Sequence, residues 1–201
     1  MVRFKPFLWL FLITCICSCA SVSKFAPGIS REDIDNIVLI RPVVEIGYID
    51  SLRNYIDSTD LSERYISIIE NAAKKSFDSI AGQTSLEDEY NEDVFKFFSD
   101  LQEVKLGKVW DVPVPDCLIK ALDSQPYRFG LMIIGVGWDS EKRVLMDVIL
   151  GGSRCSLLSA VIIDKQEKRI VFHNSNYSDT SPLNASLVNT QMKFLFHGPK
   201  Q

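Results

Sequence analysis

Residues 129–138 read FGLMIIGVGW, the most hydrophobic run outside the N-terminal segment. No charged side chain interrupts these ten residues. An uninterrupted apolar run of strand length is typical of a strand buried on both faces of a sheet. The run therefore predicts a central strand, around which the rest of the domain is arranged.

More strands are predicted on both sides of this run. Residues 156–164 (SLLSAVIID) and 169–174 (RIVFHN) flank the polar stretch 165–168 and predict a β-hairpin. Toward the N-terminus, residues 34–44 (IDNIVLIRPVV) predict a buried strand that stops near Pro42, after which residues 45–48 turn away. Residues 142–150 fit either a strand or a short helix, and Gly151 and Gly152 end that segment.

Apolar residues spaced three and four apart predict amphipathic helices between the strands. In the first helix, Asp60 begins a capping box and Gly82 ends the apolar stripe. The second helix begins at Glu92, where negative charge suits the helix dipole. Residues 109–112 predict a short extended piece.

Two helices are predicted later in the chain. A short one opens at Pro115 and stops before Pro126. The last is capped by Ser181 and closes near His197. The whole order predicts an α/β (α+β) fold: a single mixed β-sheet of about four or five strands with amphipathic helices packed on it, forming one globular domain over residues 31–201.

The N-terminus has the organisation of an export signal. Arg3 and Lys5 precede an apolar run over residues 7–17, about half the length that crosses a bilayer as a helix. The following tetrapeptide, Ile16-Cys17-Ser18-Cys19, resembles the bacterial lipobox. That resemblance implies a signal peptide over residues 1–18, a tether over 19–30, and palmitate-type acylation of Cys19. An ordinary secretory signal and a short uncleaved anchor are the alternatives.

The residues that follow Cys19 suggest the membrane to which the chain is sorted. They include neither an Asp next to Cys19 nor an acidic run. By resemblance to sorted lipoproteins, this favours the periplasmic face of the outer membrane.

Composition limits the partners of the mature chain. Removing residues 1–18 leaves 201 − 18 = 183 residues with 22 − 2 = 20 basic and 26 acidic side chains, a net charge of about −6. A nucleic-acid partner is not expected at this charge. Cys117 and Cys155 remain besides Cys19, and they could form a disulfide or lie buried as small apolar residues.

The order of elements behind a lipobox resembles periplasmic α/β lipoproteins related to the curli-secretion and penicillin-binding-protein-activator lipoproteins. The similar segments are VLIRP, YRFGLMIIGVGW and the late hairpin, in which Asp164 ends the first apolar strand. The start of the central strand, residues 127–130, and a C-terminal motif with Gln191, Leu195 and Phe196 also resemble uncharacterised lipoproteins of Bacteroides-type bacteria. Neither resemblance implies catalytic residues, and the pore of the curli relative is not expected here.

No catalytic, cofactor-binding or metal-binding residue is predicted. In the predicted hairpin His173 lies opposite Ala160, roughly 16 Å from Cys155, too far for thiol–imidazole chemistry. Pairing of Cys117 with His173 or His197 stays open. Ser153 lacks the second half of a nucleophile elbow. The glycines of the central strand lack a dinucleotide loop and indicate close packing or a bulge.

Three functions are compatible with these features. The favoured one is a non-enzymatic binding or assembly module that presents a sheet edge, or the acidic segment 87–93, to an envelope protein. The second is a self-assembling structural lipoprotein, with Trp110 and Trp138 exposed in a subunit contact. The third is a cell-wall or lipid hydrolase that uses Cys117 or His173.

Overall fold

The computed structural model describes residues 24–49, 55–104, 108–140 and 154–197. Strand β5 (Phe129–Ser140) lies in the middle of a mixed sheet, as FGLMIIGVGW predicted. It pairs in parallel with β1 (Ile37–Ile40) and β2 (Val43–Ile49) on one side. On the other side it pairs antiparallel with β6 (Cys155–Asp164). The α/β fold class is confirmed.

β1 and β2 lie end to end along the same edge of β5. Leu39 is opposite Leu131, and Val43 is opposite Ile134. The prediction that the chain turns away after Pro42 is wrong. Proline interrupts the ladder at one position because it has no N–H, and the strand resumes at Val43.

The outer row of the sheet is also made of two short strands. β3 (Tyr55–Asp57) is antiparallel to β2, and β4 (Ile80–Thr84) is parallel to β1. The expectation that a helix reaches Gly82 is wrong, because the edge of β1 takes residues 80–84 as its partner. The described sheet has seven strands. Two of its rows each consist of two short strands that lie end to end, so the number of strands exceeds the four or five expected.

The predicted hairpin of β6 and β7 (Arg169–Ser178) is confirmed, with Asp164 opposite Arg169. A bulge follows, because Ile163 pairs with Ile170 whereas Ile162 pairs with Phe172. The extra residue shifts the register by one. His173 therefore lies opposite Val161, and the predicted pairing with Ala160 is wrong.

Helices cover both faces of the sheet. Helices α1 (Thr59–Ser76) and α4 (Ala185–His197) pack on one face, and α2 (Asn91–Glu103) and α3 (Asp116–Asp123) on the other. Each face buries its own apolar cluster, with Tyr65 and Phe172 the largest fully buried side chains. The apolar face predicted for α2 is buried.

Two helix caps differ from the sequence-based expectation. Ser58, not Asp60, caps α1, and its Oγ accepts a hydrogen bond from Leu61 N at 3.4 Å. Asn184, not Ser181, caps α4, with Oδ1 accepting from Ser186 N at 3.1 Å. In both cases the residue directly before the first helical residue offers the oxygen, whereas Asp60 lies inside the first turn of α1 and Ser181 lies too far ahead of α4.

The remaining segments follow the sequence less closely. Residues 109–111, expected to be extended, form a 3₁₀ turn. Residues 24–26 lie along the outer edge of β7, where Ala26 N donates to Val171 O at 2.9 Å. Residues 142–150, Gly151, Gly152 and Cys19 lie outside the described residues. None of the helices described is both long and apolar enough for a membrane crossing.

Candidate functional site

A cleft of about 500 Å³ opens where two parallel strands end. β1 and β4 both finish there, with Arg41 N donating to Thr84 O at 2.8 Å. The start of β2 and the first turns of α1 and α2 form the other walls. Ligands of open α/β sheets bind beyond the carboxyl ends of the strands, so this cleft is the candidate site.

Carboxylates dominate the rim of the cleft. They come from four separate parts of the chain: Glu45, Asp57, Glu63, Asp88 and Glu92. Among the described residues that line the cleft, Arg41 is the only cation, and it donates from Nη2 to both oxygens of Glu63, at 2.8 and 2.7 Å. The amino ends of α1 and α2 add roughly half a positive charge each. Five negative charges against one guanidinium and two helix ends leave the rim clearly negative.

The pKa of Tyr55, on the neighbouring edge strand β3, is affected by this negative rim. Burial, and then the charges of Glu45 and Asp57, raise the pKa of Tyr55 to about 12. A negative field disfavours the phenolate because it adds a like charge. The rim therefore favours a positively charged ligand.

The floor of the cleft is apolar. Its side chains come from the start of β2, from α1, from α2 and from the segment before α2: Pro42, Val43, Val44, Ile66, Leu86 and Phe95. The last four are half-buried, so part of their surface faces the cleft. An apolar floor inside a charged rim is the usual arrangement of a surface that binds a side chain and its flanking charges.

A second cleft, of about 380 Å³, lies between α2 and α3. Three carboxylates, Asp93, Asp100 and Asp116, share its lining with Lys96 and Lys120. Its charges nearly balance, so it has no comparable preference for a cation.

The structure divides the acidic segment 87–93 between the two clefts. Asp88 and Glu92 line the first, and Asp93 lines the second. Sequence reasoning missed Glu45 and Asp57, which are far from the segment in the chain. β2 and β3 bring both to the same rim, and the sequence carries no local signal for this.

Neither of the two cysteines that the structure describes is placed for thiolate chemistry. Cys117 and Cys155 are free and buried, so the disulfide left open by the sequence is not formed. Burial raises the pKa of both thiols, which disfavours the reactive thiolate. His173 lies opposite Val161, six residues from Cys155, or about 20 Å along β6.

His173 contacts a serine instead. Its Nε2 lies 3.4 Å from Ser159 Oγ, which accepts a hydrogen bond from Ser175 Oγ at 3.0 Å. Ser159 is fully buried, so this contact offers no substrate access, and burial lowers the pKa of His173. Strand alternation places Ser159 and Val161 on one face. The bulge in β7 brings His173 onto that face, so the predicted register, which paired His173 with Ala160, missed this contact.

The other candidate residues have structural contacts. His197 Nδ1 lies 2.8 Å from Arg31 Nη1, and Nε2 lies 3.2 Å from Ser76 O. Trp110 and Trp138, expected to be exposed, are half-buried. Within the described ranges no group of three or more His, Cys, Asp or Glu side chains is placed to hold a metal ion.

Comparison with known proteins finds distant structural similarity. No protein-family model and no curated protein sequence matches the chain. The PelC dodecamer from Paraburkholderia phytofirmans is 13% identical, with 86% of this chain and 92% of that chain covered and a TM-score of 0.44. The LpoB C-terminal domain from Salmonella enterica is 8% identical, with 77% and 88% covered and a TM-score of 0.35.

Lipoprotein GNA1162 from Neisseria meningitidis is 14% identical, with 78% of this chain and 92% of that chain covered and a TM-score of 0.36. The resemblance to lipoproteins of Bacteroides-type bacteria finds no support among these structures. The chain is thus distantly similar in fold to proteins that include a lipoprotein.

Proposed function

We propose that this chain is a lipoprotein anchored through Cys19 at the periplasmic face of the outer membrane. Its folded domain acts as a non-enzymatic binding or assembly module for another envelope protein. The lipobox sequence supports the anchor, and the acidic cleft supports the binding role.

The cleft carries the proposal because its chemistry selects a kind of partner. A segment rich in Lys or Arg would satisfy Glu45, Asp57, Asp88 and Glu92, while one apolar side chain would cover the floor. Desolvated apolar contact supplies affinity, and the charged rim sets orientation and the rate of association. The expected partner surface is therefore a cationic segment with an apolar anchor.

Site-specific crosslinking tests this role. A photoreactive phenylalanine at Phe95 faces the acidic cleft, and the same group at the adjacent Lys96 faces the second cleft. The acylated full chain should crosslink an envelope protein from position 95 and not from position 96. Equal products at both positions would contradict a specific cleft.

Two matched variants separate the cleft from net charge. The first neutralises the cleft by the changes Glu45→Gln, Asp57→Asn, Asp88→Asn and Glu92→Gln. The control removes four exposed carboxylates elsewhere, by the changes Asp93→Asn, Asp100→Asn, Asp116→Asn and Asp123→Asn. The crosslink from position 95 should disappear in the first variant and persist in the control. Its survival in both refutes the binding site.

The anchor has its own test. Incorporation of radiolabelled palmitate should be lost in the Cys19→Ser variant, because acylation uses that sulfur. Label that persists in this variant, or wild-type chain that stays in the cytosol, refutes the anchor.

Self-assembly is a second candidate, favoured by the edge strand β3. Tyr55 and Ile56 are exposed on this three-residue strand, and uncovered edges with apolar side chains invite pairing with another chain. Light scattering over a range of protein concentrations tests it. A mass that stays monomeric at the highest concentration refutes this candidate.

A further inference from the structure

We propose that the outer face of α4, with Leu187 and Phe194, rests on the lipid headgroups of the membrane that holds Cys19. The inference concerns how the domain is oriented on the bilayer, and it rests on the acylation of Cys19 proposed above. Three observations carry it: where the tether meets the fold, how far it reaches, and what α4 exposes there.

The tether meets the fold beside Phe194. Lys24 Nζ donates to Phe194 O at 3.1 Å and lies 3.4 Å from Leu195 O. His173 N donates to Lys24 O at 3.0 Å, which ties the same residue to the edge of β7. The first described residue is therefore held between β7 and the last turn of α4.

The distance from this point to the acylation site is short. Five Cα–Cα steps lead from Cys19 to Lys24 (24 − 19 = 5). Even fully extended they span at most about 18 Å. The acylated residue must lie in the headgroup region, so the Lys24 backbone lies within this distance of the membrane surface, and the end of α4 that the Lys24 side chain contacts lies close by.

The face of α4 near the tether has a composition unlike that of the other helices. Leu187 is 36% exposed and Phe194 39% exposed, two of the five large apolar side chains that are exposed among the described residues. They are seven residues apart, so they lie on one side of the helix about 10 Å from each other. This gives the helix an apolar stripe directed away from the core.

Charge favours the same face. Helices α1, α2 and α3 each contain at least two carboxylates, whereas α4 contains none and carries Lys193. Anionic lipid repels the mature chain as a whole, because its net charge is about −6. Among the four described helices, α4 is therefore the one whose own side chains oppose contact with anionic lipid least.

Fluorescent labelling of the acylated full chain in phosphatidylethanolamine–phosphatidylglycerol vesicles tests the orientation. An NBD group is attached to the variants Leu187→Cys, Phe194→Cys and, as a control on the opposite layer, Ser99→Cys. Buried Cys117 and Cys155 give the background, measured on labelled wild type. A headgroup spin-labelled lipid should quench the probes at 187 and 194 and leave the probe at 99 bright. Equal quenching at all three positions overturns the inference.

A second pair of variants asks whether the apolar stripe is the cause. The probe is placed at Thr190→Cys, between the two apolar residues, in the wild-type background and in a background with Leu187→Gln and Phe194→Gln. Both glutamines replace exposed side chains, so circular dichroism should be unchanged. Quenching at 190 should fall to the level of position 99 in the double variant. Unchanged quenching there contradicts a role for the stripe.

Failure of the anchor and failure of this orientation are distinguishable. If the wild-type chain does not float with vesicles, or if Cys19→Ser floats equally, the lipid anchor is refuted. If the chain floats through Cys19 and position 194 is not quenched, the orientation alone is refuted. The probe at position 194 could also become shielded from solvent as the protein concentration rises in lipid-free detergent. That result would assign this face to a second copy of the chain and would also overturn the inference.

Discussion

Replacing Asp164 by Asn should lower the free energy of unfolding by about 2 to 3 kcal/mol. Asp164 has no exposed surface, and Arg128 donates to its Oδ2 from Nε at 3.0 Å and from Nη2 at 2.5 Å. Its Oδ1 accepts from the backbone N–H of Gln166 at 3.0 Å and of Glu167 at 3.4 Å. Asn keeps the oxygen for the turn and loses the charge that faces Arg128. Because the Arg128 side chain is 43% exposed, water can solvate it, and this holds the loss at the lower end for a buried pair.

Urea unfolding measures the effect, and the chain contains its own control. Arg41 and Glu63 form a pair of similar geometry whose side chains are 43% and 59% exposed. Glu63→Gln should therefore cost less than about 1 kcal/mol, whereas Asp164→Asn should move the urea midpoint by about 1 M for a slope near 2 kcal/mol per M. Equal losses in the two variants would refute the argument that burial sets the difference.

Acid titration tests the sign of the same interaction. Burial alone would raise the pKa of Asp164, but the Arg128 hydrogen bonds and the turn N–H groups lower it more, so the pKa lies below its ordinary value of 3.8. The unfolded chain then binds this proton more readily. The stabilisation is complete above about pH 3.8 and is lost as the pH falls through the lowered pKa. Asp164→Asn should remove this part of the acid dependence.

Three other outcomes follow from particular contacts. Because burial lowers the pKa of His173 from 6.5, the free energy of unfolding should fall as the pH drops from 6.5 toward the lowered pKa. His173→Asn should flatten this dependence in urea titrations at several pH values, and an unchanged slope would contradict the assignment to His173. Gly135→Ala should lower the free energy of unfolding by about 1 to 3 kcal/mol, because the added Cβ would lie 2.7 Å from Cε1 of Tyr65. A thermal unfolding midpoint equal to that of the wild type would refute this close approach. Glu45→Gln should lower the pKa of Tyr55 from about 12, as followed by phenolate absorbance. A pKa that does not move would refute a contribution from the Glu45 charge.

The central part of the fold could be predicted because its signals are local. A charge-free apolar run with neighbours on both sides must be buried, and residues 129–138 form the strand that pairs with three others. The hairpin is equally local, because Asp164 supplies both the turn acceptor and the partner of Arg128. The glycines of β5 serve close packing: a Cβ at Gly130 would lie 2.4 Å from Leu122 Cδ2.

What the sequence did not reveal depends on pairing between distant segments. β4 forms because the edge of β1 needs a partner, although residues 76–82 continue a helical pattern. The bulge at Val171 changes which residue faces His173, and nothing in residues 169–174 indicates it. The acidic cleft combines side chains from four segments of the chain. Their carboxylates come to line one rim only when β2 and β3 pair.

The buried Gln191 side chain has a structural role that joins three elements. Gln191, part of the C-terminal motif, donates from Nε2 to Ser156 O at 3.1 Å, and its Oε1 accepts from Ser156 Oγ at 3.0 Å. The same hydroxyl lies 2.9 Å from the Tyr65 hydroxyl. One buried serine thus joins α1, β6 and α4, and an apolar residue at position 191 would leave the Ser156 oxygen without this donor. Amides at this position are therefore favoured by the packing itself.

The two proposed surfaces lie toward opposite ends of α1, which makes them compatible. Thr59 and Glu63, in the first turns of this helix, line the acidic cleft. Ser76, its last residue, accepts from His197 at the end of α4, close to the tether. Seventeen residues at 1.5 Å each separate the two ends by about 25 Å. That separation exceeds the Debye length of about 8 Å at physiological salt. If the chain is anchored as proposed, anionic lipid near α4 should therefore do little to the field of the cleft, and the cleft should stay open to the proposed cationic partner.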